Sequence, residues 1–240
     1  MPATLAISDL WIWLLLVPIA CYFIGCFNFA VLISHKKHKD VRNMGSGNPG
    51  TMNMTREFGL GIGALTLVCD LLKGGLPVLV MYFLFRNSTF EGTDIVVSDF
   101  MRYYAGVFVV IGHIYPVTMK FKGGKGIGST IGVFVFGIST EVWWAAFLMV
   151  FVYGFSIIAY IVFTEWGSMG SLYGVSLGAI IQAVLFYLRY PSLQNGWAVG
   201  MLLCLFALCL LTWFAHRANI ARLLSGEEHH TSVRKKKKGN

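Results

Sequence analysis

The sequence predicts an all-α, polytopic membrane protein with seven transmembrane helices, and three observations carry that prediction. Of 240 residues, 56% are hydrophobic and only 12% charged, with a mean hydropathy of +0.68, whereas soluble domains carry about a quarter charged residues. Apolar runs recur that are long enough, at roughly 20 residues each, to cross about 30 Å of hydrocarbon. The net charge of +8 gathers between those runs and in the terminal stretch Arg234 to Lys238, which points to membrane orientation and anionic lipid and away from nucleic acid.

The runs lie near residues 11–34, 60–85, 103–119, 142–164, 172–188 and 197–215. The interval from Ile127 to Phe163 is too long for one helix and is interrupted near Gly137 to Glu141, so a short span at 127–139 brings the count to seven. The first run lacks a basic start and a small-residue cleavage pattern, and reads as a retained span. Cys21, Cys26, Cys69, Cys204 and Cys209 all fall in apolar runs without a CxxC pair, which suits small buried hydrophobes and no disulfide or metal site.

Basic residues set the orientation. With the 45–59 loop on the cytoplasmic face, that face receives Lys36, Lys37, Lys39, Arg42, Arg56, Lys120, Lys122, Lys125, Arg217, Arg222, Arg234 and Lys235 to Lys238. Arg86, Arg102 and Arg189 fall on the other face, and Lys73 inside a span. The N-terminus is therefore expected outside and the C-terminus in the cytoplasm, with one seven-span membrane domain over 1–224 and a basic tail over 225–240.

Four polar segments carry the expected chemistry. The first is GSGNPGTMNMTREFG, residues 45–59. Gly45, Gly47 and Gly50 allow positive φ and amides turned to a common point, Ser46, Asn48, Thr51 and Asn53 add donors, and Arg56 supplies a planar fork. The apolar run that follows is expected to open a helix whose N-terminus favours an anion. In the second, Asp70 and Lys73 are three residues apart on one face of a span, where a charge costs at least about 2.5 kcal/mol. They form either a structural ion pair or an anion site with Lys73 as ligand.

The third is GHIYPVTMKFKGGKGIGST, residues 112–130. Lys120, Lys122 and Lys125 surround Gly123, Gly124 and Gly126 just before a short helix, an arrangement suited to phosphate. It lacks the spacing and the preceding strand of a nucleotide P-loop. His113 reads as a packed histidine. The fourth is HRANIARLLSGEE, from His216 to Glu228, in which His216, Asn219 and Arg222 share one helical face. A further polar stretch, TEWGSMGSLYG at 164–174, offers Ser168 and Ser171.

Together these segments resemble the membrane acyl-phosphate:glycerol-3-phosphate acyltransferases of bacteria (PlsY type). The family's GSGNPGATNxxR stands here as GSGNPGTMNMTR, its GHxxPVxxxFKGGKGVAT as GHIYPVTMKFKGGKGIGST, and its HRxNIxRLLxGxE as HRANIARLLSGEE. A DxxKG is matched by Asp70 to Gly74. The resemblance implies a plasma-membrane enzyme that moves an acyl group from acyl phosphate to glycerol-3-phosphate, with the site on the cytoplasmic side and no cofactor. It implies site roles for Ser46, Arg56, Lys125, His216, Asn219, Glu228 and one of Ser168 and Ser171. Two departures stand out. Thr51 and Met52 replace the family's Ala-Thr, and Glu165 stands where the family has a basic residue.

Acyl phosphate is an activated anhydride whose phosphate leaves readily, so the protein has mainly to bring two anionic substrates together and offset their charges. No nucleophile elbow is evident, which favours direct attack by the glycerol-3-phosphate hydroxyl, with His216 or the donor's own phosphate as proton acceptor. The HxxxxD pattern of soluble thioester-using acyltransferases is not expected at His113, His216 or the remaining histidines, and acyl-CoA is expected to be a poor donor. A transporter of phosphorylated metabolites is the competing reading. It would place its polar groups near the midplane in two similar halves, whereas these lie at one face and no repeat is visible.

Overall fold

The computed structural model describes residues 3–191 and 195–228, and among them the architecture is helical. Most of the expected basic tail, residues 229–240, lies outside the described residues. The first apolar run is divided into α1 (Ile7–Cys26) and α2 (Phe29–Lys36). Asn28 makes the break, because its Oδ1 accepts from the Val31 amide at 3.0 Å and so caps α2, a position asparagine favours. A further short helix, α3 (Thr51–Phe58), forms within the stretch expected to be loop, and Gly59, at φ +88°, separates it from α4 (Leu60–Phe85). The strands β1 (Ala3–Leu5) and β2 (Ser88–Phe90) pair in parallel beyond the far end of α4.

The remaining helices are α5 (Val97–Ile114), α6 (Ile127–Glu141), α7 (Ala146–Thr164), α8 (Gly167–Arg189), α9 (Gly196–Ala215) and α10 (Arg217–Ser225). Among the described residues, five segments are long and apolar enough to cross a membrane: Ile7–Lys36, Leu60–Phe85, Ala146–Thr164, Gly167–Arg189 and Gly196–Ala215. α6 is a shorter apolar helix, and it ends at Glu141, where the sequence predicted the break. α5 begins six residues earlier than its apolar run because its charges are paired and not solvated. Arg102 is fully buried. It donates to Asp99 at 2.7 Å, to the Ser98 carbonyl at 3.1 Å, and to Thr140 and Glu141 of α6. Arg102, expected as an orienting charge outside the bundle, is thus part of an ion-pair network inside it, which Arg189 extends to Asp99 at 3.2 Å. Removing one member of such a pair is costly.

α5 forms the centre of the bundle, with α1, α4, α6 and α9 around it, and its Val97, Met101, Tyr103, Ala105, Val109 and Val110 are buried. Glycines let the backbones approach. A Cβ on Gly25 of α1 would collide with the Val109 carbonyl of α5, and one on Gly132 of α6 with the Leu71 carbonyl of α4, the small-residue contacts by which membrane helices gain dispersion energy. α7 packs on α6 and α8 alone among its main contacts. Its Phe147 and Phe163, both 87% exposed, form the kind of apolar surface that lipid covers. The loops 37–50 and 115–126, the start of α8 and the turn between α9 and α10 meet at one end of the bundle, opposite the end that holds Arg102.

Candidate active site

Lys125 stands just before Gly126, whose φ of +80° turns the chain into α6. Its Nζ donates to Asn219 Oδ1 at 2.5 Å, Asn219 Nδ2 donates to Glu228 Oε1 at 2.7 Å, and Arg222 Nε donates to Glu228 Oε2 at 2.8 Å. The amide orientation of Asn219 is dictated by chemistry, since an ammonium only donates and a carboxylate only accepts. Burial pulls the Glu228 carboxyl up, but the bonds from Asn219 and Arg222, with Ser168 close by, outweigh it and hold it low. Burial lowers the Lys125 ammonium, with Arg222 and Arg56 pushing the same way and Glu228 opposing. Arg56 is exposed on α3 and makes no ion pair or hydrogen bond among the described residues. Three cations therefore stand with one carboxylate.

His216 closes this cluster from below. It is buried, and its Nδ1 lies 2.8 Å from the Thr212 carbonyl. A carbonyl can only accept, so Nδ1 carries the proton and Nε2 is left as an acceptor. Burial pulls the pKa down to about 4, the Thr212 bond opposing and Lys125 adding to the fall. The ring is neutral at pH 7.

Ser168 and Ser171, expected in a loop, lie in the first turns of α8, because only Glu165 and Trp166 separate that helix from α7. Ser171 Oγ donates to the Gly167 carbonyl at 2.8 Å within its own helix. Ser168 Oγ is buried without a hydrogen bond of normal geometry, and lies close enough to Glu228 to help hold its carboxyl low.

A second feature is a cleft of about 630 Å³ between the first and second glycine loops, lined among others by Arg42, Ser46, Gly47, Asn48, Lys120 and Lys122. Gly45 and Gly47 take φ of +54° and +69° as expected. Gly50 does not; at φ −155° it is extended backbone open to any residue. Asn53, expected as a substrate ligand, instead clamps the loop. It is buried, donates to the Val41 and Met44 carbonyls at 3.2 and 2.9 Å, and accepts from the Ser46 amide at 3.1 Å. The side chains of Asn48 and Thr51 make no hydrogen bond among the described residues.

The Gly123 and Gly124 amides do not converge on open space. They donate to the Ile114 and His113 carbonyls at 3.0 and 3.1 Å, so the glycine ribbon folds back on α5. A Cβ on Gly124 would strike His113 Nε2 and crowd the Pro49 carbonyl, which makes this ribbon the spacer between the two loops. Lys120 and Phe121, at φ +51° and +59°, turn it at the rim, an uncommon conformation for non-glycine residues.

Lys73 lies beneath, and of the two readings open to it the contacts are those of the structural ion pair. It is buried with Nζ 2.7 Å from the Phe27 carbonyl, 3.4 Å from that of Gly25, 2.7 Å from His113 Nδ1 and 3.2 Å from Asp70 Oδ1. The ammonium satisfies carbonyls left open where α1 ends. One His-x4-Asp spacing, missed in the sequence reading, does occur at His35 and Asp40. Their closest approach is 3.7 Å, and Asp40 is engaged by Arg42. Arg42, which also lines the cleft, is not among the expected site residues; an Asp-x-Arg immediately ahead of a glycine loop was the available signal.

Long apolar helices that bring polar loops together on a cationic cluster beside a neutral histidine suit an integral membrane protein that handles an anionic substrate. A family model described as glycerol-3-phosphate acyltransferase matches residues 15–226. A protein of that name from Thermotoga maritima is 35% identical over 92% of this chain and 98% of its own, and one from Halalkalibacterium halodurans is 36% identical over 93% and 97%. Crystal structures of PlsY, an integral membrane glycerol 3-phosphate acyltransferase, superpose with TM-scores of 0.68 for the glycerol 3-phosphate form and 0.67 for the lysophosphatidic acid form. Both are 28% identical over 90% of this chain and 94% of that one. The chain belongs to the glycerol-3-phosphate acyltransferase family and is a membrane acyltransferase.

Proposed function

We propose that the chain transfers an acyl group from acyl phosphate to glycerol-3-phosphate, giving lysophosphatidic acid for phospholipid synthesis. The observation that carries this is the charge at Lys125. With Arg56 and Arg222 against Glu228, the cluster has a surplus of two positive charges, which matches a phosphomonoester of about −1.5 to −2 at pH 7. This cluster takes the glycerol-3-phosphate. The first loop, with the Ser46 hydroxyl, Gly47 and the N-terminus of α3 at Thr51, takes the donor's phosphate, and the donor's chain lies among the apolar helices.

The acceptor hydroxyl attacks the donor carbonyl. The new C–O bond forms as the bond to phosphate breaks, and the phosphate leaves with its electron pair. A histidine pulled down to about 4 is a poor store for a proton but a good hydrogen-bond acceptor, so His216 Nε2 orients the hydroxyl. The departing phosphate, with a second pKa near about 6, takes the proton. Lys125 and Arg56 offset the charge that gathers between the two phosphates. Ser168 completes the acceptor site beside Glu228, and Asn219 holds Lys125 and Glu228 in register.

Seven spans follow when α5 and α6 are counted with the five long segments, with the N-terminus outside, the site at the cytoplasmic face of a bacterial plasma membrane, a catalytic domain over 1–224 and a basic tail after it. Purified protein given palmitoyl phosphate and glycerol-3-phosphate should form lysophosphatidic acid, and palmitoyl-CoA should be a poor donor. Equal turnover of the two donors in matched detergent sinks the donor assignment. Reporter fusions placing Gly47 on the external face sink the orientation.

A further inference from the structure

We propose that Arg42, held in place by Asp40, is a further ligand for the phosphate of the acyl donor. The residue lies outside the glycine motif and was not among the expected site residues. Its position follows from local structure. Asp40 caps the 3-10 turn Val41–Asn43, accepting from the Arg42 amide at 3.0 Å, and the same carboxylate takes the guanidinium, Nε at 2.9 Å to Oδ1 and Nη2 at 2.7 Å to Oδ2. One carboxylate thus fixes both the backbone and the head of Arg42. The guanidinium draws the Asp40 carboxyl well below the usual range.

A guanidinium has five N–H groups in a rigid fork. Asp40 takes the Nε edge and one hydrogen of Nη2. Nη1 has no partner among the described residues, so the Nη1–Nη2 edge keeps three donors, enough for two parallel bonds to one phosphate. Arg42 lines the 630 Å³ cleft beside Ser46, Gly47 and Asn48, with Lys120 and Lys122 on the facing loop. Gly47 brings the loop against it. At φ +69° it needs no side chain there, and a Cβ would press on the Arg42 carbonyl at 3.1 Å. The charged residues lining the cleft are therefore all cationic, Arg42 on one loop and Lys120 and Lys122 on the other, with Ser46 beside Arg42; the nearby carboxylates are Asp40, already paired with Arg42, and Glu57, which lies against Gly45.

Chemistry separates this cleft from the Lys125 cluster. There the carboxylate Glu228 and the amide Asn219 belong to the network and suit a ligand that also carries hydroxyls; in the Arg42 cleft the lining charges are cationic, which suits a bare phosphate end. Asp40 is a positioning residue, because it acts through Arg42. Arg42 is a binding residue.

The inference rests on the donor assignment above, and the test separates the two. Wild type, Arg42→Ala, Arg42→Lys, Asp40→Asn and the exposed control Lys36→Ala are purified, checked for melting temperature, and assayed with palmitoyl phosphate and glycerol-3-phosphate varied in turn. Loss of a charged hydrogen bond is worth about 1.5–3 kcal/mol, or roughly 10- to 150-fold. Arg42→Ala should raise KM for palmitoyl phosphate at least tenfold and leave KM for glycerol-3-phosphate within twofold, and should weaken inhibition by inorganic phosphate in parallel. Arg42→Lys, which keeps the charge without the fork, should recover only part of the loss, and Asp40→Asn should lie between wild type and Arg42→Ala. Should Arg42→Ala fail to fold, Arg42→Lys and Asp40→Asn carry the same comparison. An unchanged KM for palmitoyl phosphate, or a change in the glycerol-3-phosphate KM instead, overturns the proposal. Absence of turnover by wild type with palmitoyl phosphate overturns the donor assignment instead.

Discussion

Lys125 Nζ lies 2.5 Å from Asn219 Oδ1, and through that amide a cation on the second loop is tied to a carboxylate just beyond α10. Residues 94 positions apart thus share one site, and neither loop alone could hold an ammonium at a fixed point. Lys125→Ala should lower kcat/KM for glycerol-3-phosphate by roughly 10- to 150-fold, the worth of a charged hydrogen bond. Lys36→Ala should change it less than twofold, since an exposed charge contributes little. Equal effects would reduce the second loop to an orientation signal.

The two serines at the start of α8 should separate cleanly. Ser171 Oγ is bonded to Gly167 of its own helix, whereas Ser168 Oγ is buried at Glu228. Ser168→Ala should cost roughly 3- to 10-fold in kcat/KM for glycerol-3-phosphate, the range for a neutral hydrogen bond, and Ser171→Ala less than twofold. The opposite ranking in steady-state assays would move the acceptor site one turn along α8.

His216 predicts a pH dependence of stability. Its folded pKa of about 4 is depressed from an ordinary 6.5, so the unfolded chain binds the proton more readily. Its stabilisation is therefore fully present above pH 6.5 and is lost as pH falls toward 4. The full window is worth on the order of 3 kcal/mol. Melting temperatures of wild type and His216→Gln should converge between pH 6.5 and 4; a constant difference over that range contradicts a buried neutral imidazole.

Much of this was legible in the sequence because membranes impose a one-dimensional rule. Apolar length placed α4 and α9 nearly to their ends and the C-terminal end of α8, whose polar first turns at Ser168 and Ser171 read as loop, and the Gly137–Glu141 interruption marked the end of α6. Hydropathy failed where a polar residue has a partner from elsewhere. Arg102 reads as a boundary and is the buried centre of a pairing network, while Asn28 reads as part of a span and caps a new helix. The candidate site divided the same way. Motifs located Lys125, Asn219 and Glu228, but which polar atoms are already satisfied is a three-dimensional fact. Asn53, Gly123 and Gly124 look like ligands in the sequence, yet their donors are engaged by carbonyls of the first loop and of α5, while Arg42, held by Asp40, lies outside the motif and lines the cleft.

The buried pair at Lys73 gives the last prediction. Its ammonium holds the Phe27 carbonyl at 2.7 Å, His113 Nδ1 at 2.7 Å and Asp70 at 3.2 Å, and His113 lies against the Gly124 ribbon that spaces the two loops. Lys73→Met leaves a buried carboxylate without its counter-charge, a change that costs about 3–5 kcal/mol in buried pairs. The variant should melt well below wild type, and kcat should fall as the ribbon loses its support. KM for both substrates should stay within about twofold, because the ammonium touches neither cleft nor cluster. Asp70→Asn with Lys73→Met should regain most of the melting temperature, since both charges are then gone. A tenfold rise in KM for either substrate at an unchanged melting temperature would make Lys73 a ligand and refute the structural reading.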